Sequence, residues 1–391
     1  MTNQFNVTLK DRFKGLRELY AHYALVLQGG GALGAYQAGV YQALTEAELH
    51  PDWVAGISIG AINAAIIAGN PPDKRVERIA AFWDRVSTKV APAKVFESIP
   101  FMNGDQGRTL FSQVSSVFSM ITGQTGFFQP RVPPPHFWPT GSVEATSFYD
   151  TSQLKSTLEE LVDFDRINSG ETRLSVGAVN VRSGNFVYFD NRRRTIRVEH
   201  IMASGALPPS FPAVEIDGEL YWDGGLVSNT PLNYVIDHEP RVSMLIFQVD
   251  LWNARGEAPK EMAEVAERRK QIIFSSRTRH ATDQLKKSHD MRRAISYVLN
   301  NLPEEKRTGD DYEMLRKLSC DSVMNIVHLI YRGKDRIIHA KDYEFSEISI
   351  KNHWKSGYMD TRRTLRHKDW LNPPAERVGV VTHDLLEDSD D

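Results

Sequence analysis

A serine set between two glycines is the first candidate for chemistry: Gly56-Ile57-Ser58-Ile59-Gly60. A serine hydroxyl is a weak nucleophile. It needs a base, donors for the oxyanion and an exposed perch. A strand-to-helix turn supplies that perch, and it is so sharp that flanking side chains would collide, hence Gly56 and Gly60. Trp53-Val54-Ala55 reads as the end of a buried strand, and Ala61 to Ala68 as an apolar helix that stops at Gly69-Asn70. Ser58 then stands at a helix N-terminus, where the dipole and free N–H groups favour developing negative charge. The competing reading is a small-residue turn that uses Ser58 only as an N-cap.

Two further stretches carry candidate chemistry. Asp223-Gly224-Gly225 follows the apolar run Leu220-Tyr221-Trp222. It places one carboxylate at a strand end on a tight loop, although Asp-Gly-Gly is more often a plain turn. Gly29-Gly30-Gly31-Ala32-Leu33-Gly34 follows the strand-like Tyr23 to Gln28 and precedes a helix from about Ala35 to Ala47. Gly29, Gly31 and Gly34 fit the dinucleotide pattern G-x-G-x-x-G. That unit wants an acid at the end of the next strand, yet Asp52 precedes the strand and Ser58 follows it. The loop reads better as an oxyanion hole, with backbone N–H groups from Gly29, Gly30, Gly31 and Ala32. A structural turn is the third reading.

Strand, glycine loop, helix, strand, elbow, helix is a βαβα start, which predicts a parallel sheet with helices on both faces. A helix over Arg75 to Val86 follows. Residues 89–150 then break into aromatic clusters (Phe101, Phe118, Phe127-Phe128, Phe137-Trp138) separated by Gly and Pro. An irregular insertion of that length reads as a lid, an acyl-binding wall or a membrane-facing flap, or as aromatics packing the insertion onto the body. Beyond it come a helix at Ser152 to Val162 and a hairpin, Arg173 to Val181 with Asn185 to Asp190. A small-residue helix ends at Ala203-Ser204-Gly205-Ala206, and a second hairpin runs into Asp223. Val242 to Val249 is a buried strand.

The chain has 391 residues, 41% hydrophobic and 25% charged, which fits a globular protein of one large domain with an extension, or two domains. A net charge of -3 argues against a nucleic-acid partner. The single cysteine, Cys320, excludes an intramolecular disulfide and a cysteine-rich metal site, and suits a reducing, cytoplasmic setting. No metal-ligand cluster or cofactor is called for. Met1 to Tyr20 has no apolar signal region and residue 2 is Thr, so neither secretion nor myristoylation is expected. No apolar run is long enough to span a bilayer. Membrane association is therefore expected to be peripheral, as a transient contact with an anionic surface at the inner face.

Together and in order, the glycine loop, the elbow and Asp223-Gly224-Gly225 resemble the patatin-like phospholipase family, in its bacterial type with a C-terminal extension. Ala203-Ser204-Gly205-Ala206 and Pro209-Ser210-Phe211-Pro212 are similar to a further signature of it. The resemblance covers roughly Tyr23 to Trp252. It implies a three-layer α/β/α sandwich with a mainly parallel central sheet, and hydrolysis of acyl lipids by a Ser–Asp dyad. Ser58 matches the nucleophile, Asp223 the base, and Gly30, Gly31 and Ala32 the oxyanion loop. Leu33 departs from the pattern, since the family often carries Lys or Arg there. A lone carboxylate is a weak base unless burial raises its pKa, so Asp223 is expected to be buried.

Other readings remain. An α/β-hydrolase triad would place more strands before the nucleophile and a histidine late in the chain, where His328, His339 and His353 stand. An acyltransferase of the same architecture would carry a histidine beside the elbow serine, where Ile57 stands. A lipid-binding scaffold with a vestigial site is the non-enzymatic reading. The organisation expected is a lead-in helix within 1–22, a catalytic domain over 23–252 and a mostly helical extension over 253–391. That extension contains a charged helical stretch from Lys260 to Asn300, a buried strand from Val323 to Tyr331 and a closing helix suggested by His353-Trp354, Gly357-Tyr358 and Asp360 to Leu365. The oligomeric state is not set by the sequence.

Overall fold

The computed structural model describes residues 13, 15–88, 119, 121–238, 241–333, 341–367, 370 and 378–385. Nine strands form one sheet among them. They are β1 (His22–Leu27), β2 (Trp53–Gly56), β3 (Arg173–Asn180), β4 (Phe186–Asp190), β5 (Val214–Ile216), β6 (Glu219–Asp223), β7 (Met244–Asp250), β8 (Met324–Ile330) and β9 (Val380–His383). The order is β9-β8-β7-β1-β2-β3-β6-β5, with β4 also on β3. The first six of these strands are parallel, and the hairpins at the β3 side are antiparallel.

Continuous apolar runs make the central strands, because both faces are covered. In β1, Leu25 and Leu27 face one core while Ala24 and Val26 face the other. The first face carries α1 (Gly34–Glu46), α2 (Ile59–Ala68), α3 (Arg75–Val86), α4 (Ser152–Leu161), α5 (Phe164–Ser169) and α6 (Val198–Ser204). The second carries α7 (Leu232–Asp237) and part of the long α8 (Met262–Asn300), through Leu285. A short α9 (Asp310–Leu318) follows α8. The result is the three-layer α/β/α arrangement with a mainly parallel sheet.

Helix α2 is apolar on every side, and all ten of its residues are buried, as expected of a helix sunk in a core. Its one polar residue, Asn63, donates to the Gly34 carbonyl at 3.0 Å and to Gln37 at 2.9 Å, and accepts from Trp83 Nε1 at 3.1 Å. These bonds fix the elbow helix against α1 and α3.

The C-terminal part is helical but also extends the sheet. The apolar run near Val323 to Tyr331 is β8, paired with β7, and β9 adds an edge. Helix α10 (Glu347–Thr364) lies against α1. Gly39 and Gly357 set how close the two helices come: a Cβ on Gly39 would stand 1.9 Å from the Trp354 carbonyl oxygen, and one on Gly357 would stand 2.0 Å from that of Tyr36. Trp354 Nε1 donates to Gln42 and Tyr358 OH to Glu46, both at 2.7 Å, along the same seam.

Most of the expected lead-in helix lies outside the described residues; of those described, Phe13 and Leu16–Leu19 are helical, and the chain is strand from His22, just after the Ala21 N–H donates to the Ser243 carbonyl. The clusters at Phe101 and Phe118 lie outside the described residues. Of the same insertion, Phe127 and Phe128 are buried, while Phe137 is exposed. No helix among the described residues is long and apolar enough to cross a membrane.

Candidate active site

The parallel strands bring their C-terminal ends to one edge. Leu27 pairs with both Gly56 and Val249, so the segments after β1, β2 and β7 leave the sheet side by side, where α/β proteins build their sites. Ser58 leaves after β2 at φ 55° and ψ −124°. That region is unfavourable for a residue with a Cβ and costs on the order of 1–3 kcal/mol, so the surroundings must hold it. They do so by close approach. A Cβ on Gly56 would lie 2.2 Å from the Gly60 carbonyl oxygen, and one on Gly60 would lie 2.4 Å from that of Leu27.

Asp223 reaches the same edge from the opposite direction. Strand β6 runs antiparallel to β3 and ends with Asp223 opposite Ala178, while Val176 of β3 lies level with Gly56. Asp223 is 2% exposed. Burial pushes its pKa up to about 7, against hydrogen bonds from Ser58 and the Gly225 N–H that pull it down. The Gly225 bond is 2.7 Å long. A carboxylate poised near neutrality, in contact with a strained serine hydroxyl, can accept its proton.

Helix α6 holds both groups. Ser204 Oγ accepts the Ser58 N–H at 3.0 Å, and the Ala206 carbonyl accepts the Asp223 N–H at 3.0 Å. Ser204 is fully buried. The sequence marked the Ala203-Ser204-Gly205-Ala206 stretch as similar to a family signature but gave no partner for Ser204.

The glycine loop lies beside them. A Cβ on Gly29 would come within 3.0 Å of Ser58 Cβ. The Gly29 N–H, however, donates to the Asn229 carbonyl at 3.2 Å, and its own carbonyl accepts from Asn229 Nδ2 at 2.9 Å and Trp252 Nε1 at 2.8 Å. Gly29 is therefore fastened and supplies space, not a donor. Gly30, Gly31 and Ala32 follow, and among the described residues no hydrogen bond engages their N–H groups. Gly34 and Gly224 are packing positions: a Cβ would lie 2.5 Å from Ile59 in the first and 2.7 Å from the Gly177 carbonyl oxygen in the second. Leu33 is buried in the core, so its position faces inward and has no room for a solvated cation.

Gln28 ties this edge together and was not singled out by sequence. Its Oε1 accepts from the N–H groups of Leu251 and Trp252 at 2.7 and 3.1 Å, and its Nε2 donates to Thr230 at 3.0 Å. These partners lie more than 200 residues away, so no local pattern could flag them.

The groups open into a cleft of about 700 Å³, mouth included. Ser58, Asp223, Asn229 and the loop glycines line one part, and Phe127, Phe128, Phe211, Leu207 and Phe345 give the rest its apolar lining. Among the described residues no histidine lines it. His328 is engaged 2.7 Å from Asp250, His353 packs on Tyr331, and His339 lies outside the described residues. Among the described residues no cluster could hold a metal ion.

Residues 25–236 match the family model described as Patatin-like phospholipase, and residues 272–377 match one described as Patatin phospholipase. Patatin-like phospholipase domain-containing protein ZK370.4 of Caenorhabditis elegans is 48% identical over 59 residues, 15% of this chain and 4% of that protein. Patatin-like phospholipase domain-containing protein 6 of Mus musculus is 27% identical over 208 residues, 53% of this chain and 12% of that protein. Lysophospholipase NTE1 of Saccharomyces cerevisiae is 22% identical over 242 residues, 61% of this chain and 11% of that protein. The chain thus spans a small part of the length of the curated relatives it matches.

Proposed function

From a chain that belongs to the patatin-like phospholipase family, we propose a serine hydrolase of lipid acyl esters, working through an acyl-enzyme on Ser58. Asp223 accepts the hydroxyl proton as Ser58 Oγ attacks the ester carbonyl. The N–H groups of Gly30, Gly31 and Ala32 hold the oxyanion. The proton passes to the leaving alkoxide, and water repeats the sequence on the acyl-enzyme. The observation that carries this reading is the buried Asp223 carboxyl, hydrogen-bonded to Ser58 and raised to about 7, at an apolar cleft. Such a carboxyl needs no histidine to serve as base at neutral pH.

The test is hydrolysis of p-nitrophenyl esters and of a lysophospholipid by the wild type and Ser58→Ala, with fluorophosphonate labelling of both. Turnover and labelling in the wild type, with loss of about 10³-fold or more in the variant, is the expected result. A Ser58→Ala protein that retains turnover would move the nucleophile elsewhere.

Ser204 acts as a positioning residue in this scheme. Ser204→Ala leaves the Ser58 N–H without its buried acceptor, which costs about 1–3 kcal/mol. The expected outcome is a kcat lowered about tenfold with KM little changed, and slower fluorophosphonate labelling. A loss of thermal stability with unchanged kcat would make Ser204 purely structural.

A further inference from the structure

The aromatic part of the cleft is closed by segments far apart in sequence: Phe127 and Phe128, Phe211, and a strap at residues 342–345 just before α10. Phe345 is 2% exposed. Its ring centroid lies 5.9 Å from that of Phe127 and 6.4 Å from that of Phe128, and both of those rings also pack on Phe211. Edge-to-face and tilted rings at these spacings pack against one another.

The strap is held by several contacts along its length. The Phe345 carbonyl accepts the Thr88 N–H at 2.7 Å. Tyr343 is hydrogen-bonded to Ser210. Lys270 of α8 clasps both carboxylate oxygens of Asp342, at 2.8 and 2.9 Å. The Asp342 backbone sits against the glycine loop, so that a Cβ on Gly31 would meet its carbonyl oxygen. The segment thus packs both on the loop beside Ser58 and on the aromatic wall, and making room for a longer ligand there would break these contacts.

We infer that Phe345, carried on this strap, is the stop that ends the acyl path, so that the substrate is an ester of a short to medium acyl chain. The inference rests on the acyl-hydrolase reading and adds the substrate class to it. Each methylene that enters an apolar cleft strengthens binding up to about fourfold. Methylenes beyond the stop gain nothing.

The test uses the full chain and p-nitrophenyl esters from butyrate to myristate, kept below their micelle thresholds. In the wild type, kcat/KM rises with chain length and then breaks. Phe345→Leu moves the break to longer chains and Phe345→Ala moves it further, raising the laurate-to-butyrate ratio of kcat/KM at least tenfold. The leucine variant decides the matter if the alanine variant fails to fold. A folded Phe345→Leu with the wild-type profile would overturn the stop while leaving the hydrolase reading intact. A wild type that cleaves no ester and takes up no fluorophosphonate would overturn both.

Discussion

Asp223→Asn is expected to lower kcat/KM toward acyl esters by about 10³–10⁴-fold and, at the same time, to make the protein more stable at pH 8. The first effect follows from removing the base that Ser58 touches. The second follows from linkage. The folded-state pKa is raised from 3.8 to about 7. Between those values the unfolded chain releases a proton that the folded chain keeps, so stability falls as pH rises through this window and stays reduced above about 7. The ceiling on that penalty is about 4 kcal/mol. Asparagine carries no charge to bury, and its amide oxygen can still accept the Gly225 N–H. Melting temperatures at pH 5 and pH 8 check this: the gain of the variant over wild type should be larger at pH 8. A variant that is less stable at pH 8, or keeps a tenth of the activity, would contradict it.

Gly357→Ala and Gly39→Ala are each expected to cost on the order of 3 kcal/mol or more, at the upper end of what overpacking does. At both positions the new methyl group would meet a backbone carbonyl of the facing helix, which cannot rotate away. Helices α1 and α10 would have to part, stretching the Trp354–Gln42 and Tyr358–Glu46 bonds. Because the strap at 342–345 leads into α10, the cleft should loosen with the seam. Chemical denaturation reads the loss. Midpoints within error of wild type would mean that the seam yields without cost.

The residues of the candidate site were legible in sequence because their spacing is local. An elbow serine needs its glycines next to it in sequence, and buried parallel strands show as short apolar runs before glycine turns. Asp223 was legible for the same reason, at the end of a hairpin. What stayed hidden joins distant segments. Ser204 meets Ser58 across 146 residues and Asn229 meets Gly29 across 200. The strap at 342–345 has no periodicity that would link it to Gly31. Gly39 and Gly357 were not singled out in sequence as contact points; a glycine inside a helix lowers its propensity, whereas here these two let two backbones touch. Gly29 looked like a donor because a glycine's N–H is accessible by default; only the fold shows that Asn229 takes it. Strand β9, four residues at the sheet edge, is too short for its alternation to register.

The most direct test of the account is the pH dependence of kcat/KM from pH 5 to 9 on a soluble ester, for wild type and Asp223→Asn. The account predicts a single rising limb with an apparent pKa near 7 in the wild type, falling about tenfold per pH unit below it, with no such limb in the residual activity of the variant. His200, held down at about 4 by burial, cannot produce that limb. A wild-type profile that is flat across neutrality, or a limb that survives unchanged in Asp223→Asn, would show that some group other than Asp223 activates Ser58.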